Sequence, residues 1–339
     1  MAALSDQLLT VAVLCYALAM LGHAVEYAFG NRRPAARTDA RSLVTVGRDT
    51  TGSGSADVPG GSSGPVPDPA AGQGFPADRE ALARRADLTG WAALWLTVLG
   101  AFAQAGCLVA RGLAADRVPW GNMYEFTIAT GLVGVVAWLV LAFRRPIRHL
   151  GLFVTLAVVL LLGFAAVRLY SQAGPLVPAL NSYWLKIHVT AAVLATGIFM
   201  VGFVAALLYL IRDRHDDAVA SGRWPRFPVS LGAQLPDPAT LERMAFRLHA
   251  LAFPIWTFAI MAGAIWAQEA WTRYWGWDPK ETWAFISWVV YAAYLHARAT
   301  AGWRRSTAAW IAIAGWTTML INLFVVNLVI EGLHSYSGT

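Results

Sequence analysis

"LKIHVTAAVLATGIFMVGFVAALLYLI" occupies residues 185–211 and carries a single charged residue, Lys186, near its start. A helix rises about 1.5 Å per residue and satisfies its own backbone groups, so about 20 apolar residues suffice to cross a bilayer. This stretch therefore reads as a membrane-spanning helix with one histidine, His188, about one turn in. Seven further runs read the same way: 8–29, 90–110, 123–143, 149–167, 246–267, 280–297 and 306–330. Composition agrees. Hydrophobic residues make up 57% of the chain and charged ones 14%, well below the roughly 25% charge of soluble domains. The expected fold is an all-α, polytopic integral membrane protein with about eight transmembrane helices.

No Lys or Arg precedes the first run, and its apolar stretch exceeds that of a cleaved signal, so it reads as a retained span. The chain then divides into a first transmembrane helix (1–30), a linker (31–86) and a seven-helix membrane domain (87–339). The linker contains "GRDTTGSGSADVPGGSSGPVPDPAAGQGFPADRE", with almost nothing to bury, and is expected to be disordered on the cytoplasmic side. A second cytoplasmic loop, 212–245, holds prolines that argue against a continuous helix. Asp237 or Thr240 is placed to cap the helix entering the span at 246.

The net charge of +6 does not point to nucleic acid. With the N-terminus outside and the spans alternating, the segments 30–89, 144–148, 212–247 and 298–305 share one side and hold 20 of the 26 Lys and Arg residues. Positive residues are retained in the cytoplasm, so that side is inside and both termini are expected to be extracytoplasmic. The two cysteines, Cys15 and Cys107, lie within spans and read as small buried hydrophobes. No C-x-x-C-H is present, which excludes covalent haem attachment to this chain by that route.

The outer loops are expected at 111–122, 168–184, 268–279 and 331–339. The third feeds "WTRYWGWDPKETWAFISW", residues 271–288. Asp278 as N-cap, Pro279 at the first helical position and Glu281 at the third make a capping box that starts the seventh span. Interfacial anchoring also gathers tryptophans at such a place. A helical turn before it would set Trp271 and Trp275 on one face, with Trp277 just beyond Gly276. Such indoles form a shelf for a flat, apolar ligand with polar edges, a description that haem fits.

Haem iron takes axial ligands, commonly His. Of the seven histidines, the topology sets only His188 and His334 on the outer side with the tryptophans. His334, in "EGLHSY" beyond Gly332, reads equally as a helix-end residue. His296 ends "WVVYAAYLHAR", about 27 Å along the helix from Asp278, near the inner face. Intramembrane ionisable groups are functional candidates by default. His23 falls at similar depth, with Glu26 as an alternative partner. His149, His215 and His249 read as residues of the cytoplasmic face.

Taken together, "VPWGNMYEF", "GPLVPALNSYWLKIHV", "WTRYWGWDPKETWAFISWVVYAAYLHAR" and "GLHSYS", in that order, resemble the cytochrome c biogenesis proteins of the CcsA or ResC type, called CcsB in some bacteria. These belong to a wider group of haem-handling membrane proteins with a Trp-rich (WWD) motif. The resemblance implies that His188 and His334 ligate haem at the outer face. It implies that His296 belongs to an inner haem site, and that Trp271, Trp275, Trp277 and Asp278 form the Trp-rich core. Arg273 and Lys280 are candidates to meet the propionates. It further implies haem b as cargo and substrate, a ResB-type membrane partner, and apocytochrome c as acceptor. The setting would be the bacterial cytoplasmic membrane, and the role that of haem-handling subunit in a cytochrome c haem lyase (holocytochrome c synthase) complex. Export of another planar anion and a purely structural subunit are the alternative readings. The long linker departs from the shorter family members.

Overall fold

The computed structural model describes residues 1–30, 76–174, 182–300 and 302–334. All regular elements among the described residues are helical: α1 (Ala2–Phe29), α2 (Pro76–Ala115), α3 (Met123–Arg144), α4 (Gly151–Arg168), α5 (Tyr183–Ala220), α6 (Pro238–Trp271), α7 (Pro279–Ala299), α8 (Arg305–Leu320) and α9 (Val326–Val329). A π-helical turn, Ile321–Val325, joins α8 to α9. Short 3-10 turns at Arg148–Leu150 and Val229–Gln234 lie in the connections before α4 and α6.

Seven helices are long and apolar enough to cross a membrane, the last counted from Arg305 through Val329. Helix α7 has 21 residues, long enough to span, but carries Lys280, Glu281, His296 and Arg298 and is not among the seven. The linker expected over 31–86 ends earlier than its composition suggests. Its last residues already belong to α2, which begins at Pro76. The reason is local: proline suits the first helical turn, and no Gly or Pro follows until Gly90. Residues 31–75 lie outside the described residues.

Successive helices run in alternating directions, and polar contacts pin matching ends together. At one end, Asp6 of α1 accepts a hydrogen bond from Tyr170 after α4, and Ser182 before α5 donates to Glu269 in α6. At the other, Arg148 pairs with Glu26 of α1 and Asp87 of α2, and Arg298 of α7 pairs with Glu242 of α6. Helices α1–α4 form one group and α5–α8 a second, with α3 lying against α5 between them. The two groups meet in a shared core that includes Trp138, Phe199 and Tyr291.

Two of the expected caps hold. Asp237 accepts from Thr240 N at 2.9 Å at the start of α6, which continues unbroken into the span. Asp278 and Glu281 make the complete capping box at α7 with Pro279 in the first turn.

Candidate functional site

The capping carboxylate of α7 does more than start a helix. Asp278 accepts from Leu333 N at 2.7 Å and holds His334 Nδ1 at 2.8 Å. The chain after α9 is thereby folded back onto the first turn of α7. Gly332 permits the approach, because a Cβ there would lie 2.8 Å from Asp278 Oδ1. Burial alone would raise the Asp278 pKa, but the hydrogen bond from His334, followed by that from the Leu333 amide, holds it down at about 2. Burial lowers the pKa of His334 despite its carboxylate neighbour. A neutral ring that donates Nδ1–H to a carboxylate carries its lone pair on Nε2.

His188 is fixed by a parallel device. Its Nδ1 lies 2.8 Å from the backbone oxygen of Ala259 in α6. A carbonyl only accepts, so Nδ1 carries the proton and Nε2 the lone pair. The ring rests on Gly263, where a Cβ would come within 2.7 Å of it. Both imidazoles pack against Trp266. His188 stacks on it with centroids 6.2 Å apart and planes 10° from parallel, and His334 meets it edge-on at 5.9 Å. Trp271 sits 4.8 Å from Trp266 and 5.0 Å from His334.

These groups line one predominantly apolar cavity between α3, α5, α6, α7 and α8. Of the expected site residues, His188, His334, Trp271, Trp275 and Lys280 contribute to its wall. Asp278 stands behind His334. Trp271 and Trp275 do not share a helical face as expected, because α6 ends at Trp271 and Thr272 turns into the left-handed region at φ 59°. Trp277 is also left-handed, at φ 56°, and 64% exposed. It packs on Trp275 and Phe285 rather than in the wall. Arg273 is exposed, with its guanidinium over Gly276.

His296 lies far along α7, exposed, with its nearest polar contact Thr300 one turn on. His23 is fully buried between Glu26 and Trp138. Its ring therefore belongs to the α1–α4 group.

Three wall residues escaped sequence reading. Trp266 lay inside an apolar run and gave no separate signal. Asn322 was hidden in the last span. Trp120 belongs to "VPWGNMYEF", whose placement is set by a buried ion cluster. Glu125 takes Arg111 Nε at 2.9 Å, Arg117 Nη1 at 2.8 Å and Gly121 N at 2.8 Å, while Asn122 caps α3. Two guanidinium partners and a backbone donor satisfy a carboxylate that would otherwise be destabilising when buried. Their buried pairing fixes the loop against the cavity.

Among the described residues, no group of three His, Cys, Asp or Glu could hold a bare metal ion. Two imidazoles supply only two donors, so a metal held here would need its remaining donors from elsewhere.

Residues 120–334 match the family model described as "Cytochrome C assembly protein". The match runs from the cavity-lining Trp120 to the cavity-lining His334. Similar chains include the "Cytochrome c biogenesis protein CcsA" of Microcystis aeruginosa, 35% identical over 275 residues, which cover 68% of this chain and 83% of that one. That of Gloeobacter violaceus is 34% identical over 284 residues, covering 68% and 82%. That of Guillardia theta is 34% identical over 253 residues, covering 71% and 83%.

Proposed function

Because this chain belongs to the cytochrome c assembly protein family, and is a multi-pass membrane protein with a role in cytochrome c biogenesis, we propose that it holds haem b at the cavity and presents it for covalent attachment to apocytochrome c. One observation carries this reading. Two histidines from separate helix ends, each with Nδ1 committed to a fixed acceptor, line the same apolar cavity against Trp266. That tautomer is the one that ligates metal through Nε2, and the anchored Nδ1 both orients the ring and raises its basicity.

In this reading His188 and His334 would hold the iron of the bound haem through Nε2. Trp271 and Trp275 support the ring, and Lys280 pairs with a propionate. The vinyl groups stay open to a C-x-x-C-H peptide. Each cysteine thiol adds across a vinyl double bond, forming the C–S bond while the thiol hydrogen ends on the neighbouring carbon. The chain contributes orientation and ligation, and the substrates bring the reactive groups. The cavity end of the bundle faces the extracytoplasmic side of a bacterial plasma membrane, and the Arg-rich opposite end faces the cytoplasm. His296, exposed on α7, is the ligand of an inner site whose other half comes from a ResB-type partner.

The test is haem retention. Protein purified with its partner is expected to show a Soret band. His188→Gly and His334→Gly should each lose most of it, with partial recovery in imidazole. Covalent haem on a cytochrome c, scored in a host without its own maturation system, should depend on both residues. Wild-type protein that carries no haem after adequate supply would sink the proposal. Haem export without covalent product would favour a transporter.

A further inference from the structure

The polar corner of the cavity is built by the irregular end of α8. Over Ile321–Val325 the backbone widens into a π turn. Such turns displace residues from the regular register and recur at functional sites. Here the carbonyls of Asn322 and Leu323 accept from Asn327 Nδ2, at 3.3 and 2.6 Å. Asn327 Oδ1 in turn accepts from Lys280 Nζ at 2.8 Å. The π turn therefore holds the lysine at the cavity wall through Asn327.

Asn322 itself lines the same cavity. It is 6% exposed, and its Oδ1 has no hydrogen-bond partner among the described residues. Lys280 makes no salt bridge among the described residues. The one carboxylate in the lining, Glu281, is committed to the amides of Gly276 and Asp278 at 2.8 and 3.1 Å. Among the described residues this corner thus holds a lysine in no salt bridge and an amide oxygen with no hydrogen-bond partner, in a cavity that is predominantly apolar. A buried polar group is retained where something satisfies it. An amide presents either its oxygen or its N–H₂ to a ligand by a flip of the terminal torsion.

We propose that Asn322 is a carboxylate-binding residue, donating its amide N–H to a propionate of the bound porphyrin beside Lys280. This rests on the haem reading above and adds to it an orientation. The propionate edge lies on the α7–α8 wall, and the vinyl edge is turned toward the α3 and α5 side.

Haem and its dimethyl ester, which lacks both carboxylates, separate this role from a merely structural one. Haem-stripped protein in complex with its partner would be titrated with each. Wild type should prefer haem. Asn322→Leu should weaken haem about tenfold, as for loss of a charge-assisted hydrogen bond, and leave the ester within about twofold, with the bis-histidine absorption spectrum unchanged. Asn322→Asp keeps shape and polarity, guards against a packing defect, and should likewise weaken haem but not the ester. Equal losses for both compounds, or a wild type indifferent to esterification, would overturn the assignment. A wild type that takes up neither compound would overturn the haem reading and this assignment together.

Discussion

Helices α5 and α6 meet through two histidines, each seated on a glycine of the other helix. His188 of α5 rests on Gly263 of α6, and His249 of α6 rests on Gly202 of α5. In both places a Cβ on the glycine would come within 2.7 Å of the ring. Both Nδ1 atoms face a backbone oxygen, Ala259 for His188 at 2.8 Å and Ala245 for His249 at 2.7 Å. The surroundings differ. His188 opens onto the cavity and shares Trp266 with a second imidazole. His249 is enclosed by Phe199, Tyr291 and Tyr294, and its Nε2 is buried with no hydrogen-bond partner among the described residues. Anchoring and tautomer alone therefore do not set His188 apart from His249. The adjoining cavity and the second imidazole on Trp266 distinguish one joint from the other.

The sharpest way to break this contrast is to fill the two seats. Gly263→Ala should displace His188 and cut haem retention about 100-fold, the upper range for loss of an orienting contact, with helix content preserved. Gly202→Ala should instead destabilise by about 1–3 kcal/mol through overpacking, read as a lowered unfolding temperature, with haem per folded molecule unchanged. Matching losses of haem in both would erase the distinction. Asp278→Asn should weaken haem retention about tenfold, because an amide still accepts from His334 but no longer carries charge. An Asn variant indistinguishable from wild type would remove Asp278 from the site.

His249→Leu tests the enclosed joint directly. Removing a buried nitrogen that lacks a partner is expected to leave stability equal or higher and haem retention within about twofold. A loss like that of His188→Gly would make His249 a ligand after all. The smallest effect is on acidification. Asp278 has a depressed folded pKa, so its contribution is complete above the ordinary carboxylate value of 3.8 and is lost as pH falls through about 2. It should amount to about 1 kcal/mol, as for a helix cap. Tryptophan fluorescence should report a transition below pH 4 that Asp278→Asn abolishes.

The same contrast explains what could be read in advance. Helix positions followed from unbroken apolar runs, and the α7 start from Asp278, Pro279 and Glu281, because both are local in the chain. His188 and His334 could be put on one side of the membrane by alternation alone. Their common neighbour Trp266 could not, because that contact joins α5, α6 and the segment after α9. Gly263 and Gly202 carry no mark that separates a seat from an ordinary helical glycine. The shelf of Trp271, Trp275 and Trp277 came out differently because two left-handed residues, Thr272 and Trp277, redirect the chain where helical spacing was assumed. Asn322 was unreadable for a related reason: only the π turn brings it to the wall.

Asp278 also ties two events together mechanically. One carboxylate closes the first turn of α7 and, through its bonds to Leu333 and His334, clasps the returning arm of the chain. Swinging that arm away strips the carboxylate of two of its donors and loosens the helix it begins. Movement of the arm and the slackening of α7 would then be one motion, with the carboxylate as its hinge pin.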